Sequence, residues 1–295
     1  MASQLSITSL LRSSSVKLKS KYEIQSTDGG STLTNSASIS NSLFSTSNVS
    51  SSAITVNKDI PSTEGQFQNM TWSEIDDMAK DAMKNPSDYA HMIGWTKDVV
   101  FGSPINKTVS HEIVDLCHTD WGDNHAFVFM PKYEVLTMAP HNTSYFNGLN
   151  YASSVIDTDL QENGNYWNSL PSDLAKALKE CNIKYLTSAS DTDWSGKNVS
   201  SLIRKWFLPS VVEMGLVSSA GAAYNSEGKV LQKFALGSAS DRIRKRDTNT
   251  ASGWWLRSIC WDKGTALAFG GVFTSGTLYL VASYQSMGVV PCFAI

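Results

Sequence analysis

The densest run of metal- and proton-handling side chains is His111-Glu112-Ile113-Val114-Asp115-Leu116-Cys117-His118-Thr119-Asp120-Trp121-Gly122-Asp123-Asn124-His125. Three of the five histidines and three aspartates fall within it. Imidazole and carboxylate together suit zinc or a related ion, which makes His111, His118 and Asp120 candidate metal ligands. The spacing, however, fits neither H-E-x-x-H nor an EF-hand loop. On a strand, His111, Asp115 and Cys117 would share one face, with His118 and Asp120 opposite. A polar turn whose Asp and His side chains hold the backbone accounts for the same residues without a metal or any other cofactor.

Catalytic patterns are otherwise missing. There is no G-x-S-x-G, no phosphate-cradling G-x-x-x-x-G-K-[ST] and no G-x-G-x-x-G. Asp157 with Asp159, and Asp191 with Asp193, form D-x-D pairs inside Ser- and Thr-rich stretches, where solvated loop acids are expected. Arg242, Arg244, Lys245 and Arg246 read as a solvated basic loop, flanked by Asp241 and Asp247. Arg257 differs, because it lies in an apolar strand; a buried guanidinium there needs a carboxylate, from Glu213 or one of the central aspartates. Trp261, Phe273, Tyr279 and Tyr284, with Lys263 among them, fall in or beside the last strands. Aromatics there can stack on a ligand or anchor a protein contact. No catalytic residue is expected.

The elements that would carry these side chains are legible in outline. Thr71 and Glu74 form a capping box, with Trp72, Ile75, Met78, Ala79, Ala82 and Met83 on one helical face and Asn85-Pro86 as the stop. Further helices are expected at 172–181 and 199–207, the second closed by Pro209. Short strands and loops fill 95–137, including Ala126-Phe127-Val128-Phe129-Met130, and strands are expected at 253–258, 265–273, 277–283 and 288–295. Helices early and strands late describe an α+β domain over residues 61–295. Residues 1–60 are a Ser/Thr-rich arm or linker. The period-two alternation of Val16, Leu18, Tyr22 and Ile24, and of Ile54 and Val56, suits strands that take partners from another chain.

The final residues carry a resemblance. Trp254-Trp255-Leu256-Arg257-Ser258, followed by Gly288-Val289-x-Pro291-x-Phe293, resembles the close of an uncharacterised C-type-lectin-like domain family of phage virion and Firmicutes proteins. Trp72-Ser73-Glu74-Ile75, Asp115 to Asp120, and Phe207-Leu208-Pro209-Ser210 with Glu213 resemble its earlier segments, in order. The resemblance covers about residues 70 to 295. It implies a C-type-lectin-like fold whose last strand returns to the sheet near the domain's start, and it implies no catalytic residues. E-P-N, Q-P-D and W-N-D, the marks of calcium-dependent sugar binding, are absent.

Composition narrows the function further. A formal net charge of -3 gives no basic field for a phosphate backbone, so nucleic acid is not an expected partner. No apolar run approaches the roughly 20 residues of a membrane span, and Leu5 to Leu11 is too short and polar for a secretory signal. The four cysteines make no C-x-x-C pair; they are read as buried thiols, with a Cys260–Cys292 bridge as the alternative. The expectation is a non-enzymatic virion protein, assembled in the host cytoplasm and exposed on the particle surface. Its partners would be other virion subunits, through the arm, and a host-surface glycan or protein. A homo-oligomer, with a trimer as one form, fits repeated display. A bacterial cell-surface lectin-like protein and a metal-dependent hydrolase are the rival readings.

Overall fold

In the computed structural model the described residues are 60–141, 150–187, 198–216, 227–262 and 266–295, plus three short strands nearer the start; side chains at 260–262 and 266–267 and in those three strands lie outside the description. The chain forms two units, Met1–Ser62 and Thr63–Ile295. In the first, β1 (Glu23–Thr27) and β2 (Gly30–Thr34) make an antiparallel pair, and β3 (Ile54–Asn57) joins β2 in parallel. Where the alternation pointed to partners from another chain, Ile24 lies in β1 and Ile54 and Val56 in β3, and both strands pair with β2 of the same chain. Val16, Leu18 and Tyr22 lie outside the described residues.

The second unit is α+β. Helix α1 (Glu64–Gln68) leads into α2 (Trp72–Ala82), where the Thr71 hydroxyl accepts from Glu74 N–H at 3.2 Å and Glu74 Oε2 accepts from Thr71 N–H at 2.8 Å. That reciprocal box satisfies donors the first turn leaves without partners. Trp72, Ile75, Met78, Ala79 and Ala82 recur at three- and four-residue spacing and are all buried.

They pack on a five-stranded antiparallel sheet ordered β10-β17-β6-β5-β4. Its members are β4 (Thr96–Phe101), β5 (Lys107–Leu116), β6 (Phe127–Pro131), β10 (Trp206–Phe207) and β17 (Cys292–Ala294). Because β6 is buried on both faces, it reads as one apolar run. Strand β17 sits between β6 and β10, with Phe293 opposite both Phe129 and Trp206. Ile295 continues the pairing: its N–H donates to Phe127 O at 2.9 Å and its carbonyl accepts from Ala126 and Phe127. Trp72, Phe129 and Phe293 meet in edge and stacked contacts at 5.2 to 6.0 Å.

The connecting segment holds β7 (Leu136–Met138), α3 (Val155–Leu160), α4 (Ser172–Ala177), β8 (Cys181–Leu186) and β9 (Val199–Arg204). Two helix expectations fail here. The helix from Ser172 stops at Ala177, since Leu178 turns to an extended ψ of 131, and Cys181 opens β8 instead of closing a helix. Residues 199–207 form β9 and β10, not a helix. Strand β9 pairs antiparallel with β8 along six residues, Ile203 is exposed, and Trp206 enters the other sheet. A short apolar run fits either period, and the available partner strand decided it.

After α5 (Gln232–Ala235), β11 (Arg244–Lys245) pairs with β12 (Ala251–Ser252). Strands β13 (Trp254–Asp262), β14 (Ala266–Val272), β15 (Leu278–Ala282) and β16 (Met287–Val289) then build a second five-stranded sheet, ordered β15-β14-β13-β16-β7. Cys292 is a buried free thiol in the other sheet from β13, so the Cys260–Cys292 bridge does not form; Cys117 and Cys181 are free too. Among the described residues no helix is long and apolar enough to cross a membrane.

Candidate recognition surface

Strands β14 and β15 join through a tight turn. Phe273 N–H donates to Thr277 O at 2.8 Å, and Gly276 takes a φ of +81 that a side chain rarely adopts. A Cβ at Gly276 would sit 1.8 Å from Ala239 O, so only glycine fits against that backbone. Arg242 Nε donates to Gly276 O at 3.0 Å and ties the turn to the body. Arg242 stands in a basic run that reads as a solvated loop, and a contact thirty-four residues away leaves no local signal in the sequence.

On this support stand the residues singled out from the sequence. Phe273 (47% exposed) and Tyr279 (50%) share one face, their ring centroids 5.5 Å apart, and Leu280 and Tyr284 are also exposed. The Trp261 side chain and Lys263 lie outside the described residues. From Gly264 to Ile295 the chain has no Asp, Glu, Lys or Arg. Apart from hydroxyls, the hairpin therefore offers no acid, base or nucleophile. Its chemistry is apolar and aromatic contact.

Strand β13 lies beside it and holds the sheet in place. Trp254 and Trp255 are fully buried, with indole N–H groups donating to Arg242 O at 3.1 Å and Met138 O at 2.8 Å. Arg257 is also fully buried. It makes a two-pronged contact with Glu213 at 2.6 and 2.5 Å, and donates to the carbonyls of Lys184, Leu208 and Glu227. Trp121 Nε1 and Ser210 N–H donate to the same Glu213 carboxylate, both at 2.8 Å. Ser258 donates to Glu227 Oε2 and accepts from Val211 N–H at 2.9 Å. Full burial pushes the Glu227 carboxyl up to about 7, against the opposing pull of Arg257. Gly288 is required by close approach: a Cβ there would lie 2.5 Å from Glu134 Oε2. Pro291 and Phe293 belong to the buried run around β17.

The histidine-rich stretch scatters its polar groups. His111 in β5 contacts Val109 O through Nδ1 at 2.9 Å, between the rings of Phe101 and Phe293, and burial lowers its pKa to about 4. His118 Nδ1 lies 2.6 Å from Asp115 Oδ2, while Asp115 Oδ1 accepts from Leu116 N–H at 2.7 Å. Asp120 pairs with Lys229 at 3.2 Å and Lys184 at 3.7 Å. A register shift between Ile113 and Asp115, and a φ of +50 at Cys117, break the expected alternation. Among the described residues no three His, Cys, Asp or Glu side chains converge to hold a metal.

Three side chains expected in solvent are buried. Asp157 in α3 binds Arg204 Nε and Nη2 at 2.8 and 2.6 Å, and Asp159 accepts from Asn165 at 2.7 Å. Arg244 is 3% exposed and donates to Glu112 at 2.9 Å, with Lys233 on the other carboxylate oxygen. Asp191 and Asp193 lie outside the described residues. A shallow cleft of about 260 Å³ is lined by Gln161, Glu162, Trp167, Glu180, Ile203, Arg204 and Lys205, and Lys205 pairs with Glu162 at 2.7 Å inside it.

A family model described as a domain of unknown function, DUF6273, matches residues 127–295. The chain belongs to the DUF6273 family. No curated protein and no solved structure matches it. The DUF6273 span opens at Phe127, the first residue of β6, and takes in every strand from β6 to β17. It holds the β14–β15 hairpin and the Arg257–Glu213 pair. It omits β4 and β5, although β5 hydrogen-bonds β6, so the folded unit is longer than the matched DUF6273 segment.

Proposed function

We propose that this DUF6273 protein is a non-enzymatic structural protein of a phage particle. Its C-type-lectin-like head, residues 61–295, is displayed on the virion surface and anchored by residues 1–60. The observation that carries the reading is the exposed, uncharged aromatic hairpin of Phe273, Tyr279, Leu280 and Tyr284, standing on a sheet fixed by fully buried tryptophans and an arginine–carboxylate pair. Apolar aromatic side chains on a rigid scaffold gain contact energy at small entropic cost, which suits attachment to a host-surface glycan or protein. The resemblance of Trp254 to Ser258 and of Gly288 to Phe293 to virion domains supports the same reading, as does an N-terminal sheet of short strands whose outer edges, on β1 and β3, have no partner strand among the described residues. Repetition of the chain as a homo-oligomer, a trimer among the forms, would raise avidity.

Electron microscopy and limited proteolysis of the parent particle test this. Particle-bound protein should keep its first sixty residues under protease while the free chain loses them. Phe273→Ala and Tyr279→Ala particles should adsorb to host cells about ten-fold or more weakly, as expected of anchor residues. A chain missing from purified particles, or lying beside secretion genes instead of capsid and tail genes, would sink the virion reading in favour of a cell-surface binding protein.

A further inference from the structure

Strand β15 ends its sheet, and no described residue pairs with its outer side. The direction of its free groups follows from the turn. Phe273 N–H bonds Thr277 O, so 273 with 277 is a hydrogen-bonded pair. Antiparallel alternation then places Gly271–Tyr279 and Phe269–Val281 as the next bonded pairs. The N–H and C=O groups of Leu278, Leu280 and Ala282 therefore point away from β14, with the Ala282 carbonyl also accepting from Gln285 N–H at 3.0 Å.

Proteins guard such edges with charge, proline or brevity. Strand β4, the edge of the other large sheet, carries Lys97 and Asp98, and β9 carries Arg204. Strand β7 is only three residues long. Strand β15 has the sequence LYLVA, without charge or proline, inside a stretch that has no ionisable acid or base of the Asp, Glu, Lys or Arg type from 264 to 295. Tyr279 and Leu280 point to opposite faces, and both are exposed, so the strand projects beyond the body on both sides.

We propose that β15 pairs antiparallel with β15 of a second copy of this chain, about a two-fold axis at Leu280. In this register Leu280 faces its own copy, Leu278 faces Ala282, and every outward main-chain donor meets an acceptor. Tyr279 faces Val281 in the non-hydrogen-bonded pairs, where side chains approach most closely and an aromatic beside a β-branched residue is favourable. No charge opposes its like anywhere along the seam. Two five-stranded sheets become one of ten, and each Phe273–Tyr279 platform is doubled. The pairing deepens the display reading by giving the homo-oligomer a specific two-fold contact.

Light scattering behind size exclusion, on the full chain, should give the mass of a dimer. Leu280→Lys sets two ammonium groups against each other at the axis and should give a monomer with unchanged circular dichroism and melting. Leu280→Cys should form a disulfide-linked dimer under mild oxidation, because a bonded pair with Cα atoms about 5.5 Å apart suits a disulfide; wild type and Ser286→Cys should not. A monomeric wild type, a dimer surviving Leu280→Lys, or a dimer in which Leu280→Cys fails to cross-link would each overturn the pairing. If Leu280→Lys fails to fold, the cysteine variant decides alone. A monomer found on the particle refutes only the pairing, and a dimer absent from the particle refutes only the display reading.

Discussion

Arg257 uses all of its donors, on one carboxylate and three carbonyls, with nothing left for solvent. Removing one member of such a pair strands the other charge in the interior. Arg257→Met should therefore cost about 3–5 kcal/mol of stability, read from denaturant midpoints. Arg257→Met combined with Glu213→Leu should recover much of that loss, and a double variant whose loss equals the sum of the two single losses would show that the pair is not coupled. Glu213 could be named from sequence as one candidate beside the central aspartates, because a guanidinium in an apolar strand must find a carboxylate. Arg244 and Asp157 could not: each sits among polar neighbours that look solvated, and their partners, Glu112 and Arg204, are 132 and 47 residues away. Titration belongs to this scale as well. Burial lowers His111 and His125 to about 4, so the unfolded chain binds their protons first and stability falls as pH drops from 6.5 toward 4. Glu227, raised to about 7, opposes this, because the folded state keeps its proton and stability falls as pH rises from 4.5 through 7. The two histidines outweigh the one carboxyl, and His141, also lowered by burial, adds to their side, so stability should rise as pH rises from 4.5 to 6.5. Unfolding curves at stepped pH should show a positive slope for wild type and a steeper one for Glu227→Gln.

At the scale of elements, capping chemistry and apolar runs were the trustworthy signals. The T-x-x-E box fixed the start of α2, and continuous apolar runs marked β6 and β17. Periodicity failed at 199–207, where Leu202, Ile203, Trp206 and Phe207 fit a helix on paper. The chain instead bends at Lys205 and sends the two halves to different sheets. No local pattern shows which strand will be waiting. Gly288 is the clearest single-position constraint on an element: Glu134 beside it is held by Ser252 at 2.5 Å and by Arg246 at 3.1 Å and cannot retreat. Gly288→Ala should cost about 1–3 kcal/mol by overpacking and separate β16 from β7. A denaturant midpoint equal to wild type would contradict this.

Across the whole molecule, the sequence made an α+β domain legible because helical caps come early and strand runs late. It left out the two-sheet arrangement, in which consecutive strands β16 and β17 part company: β16 enters the sheet of β13 and β7, and β17 that of β6 and β10. The recognition surface was half visible, since Phe273, Tyr279 and Tyr284 stood out by type, while their exposure depends on where the hairpin is tied. The absence of Lys, Arg, Asp and Glu from Gly264 onward has a consequence beyond binding chemistry. Dissolved salt weakens attraction between ions over about 10 Å at 0.1 M, and this hairpin presents none for it to weaken. Whatever it grips, in fresh water or brine, should be held with much the same strength. The same residues give trypsin no bond to cut, so a protease that trims Lys- and Arg-bearing loops would leave the hairpin's chain unbroken.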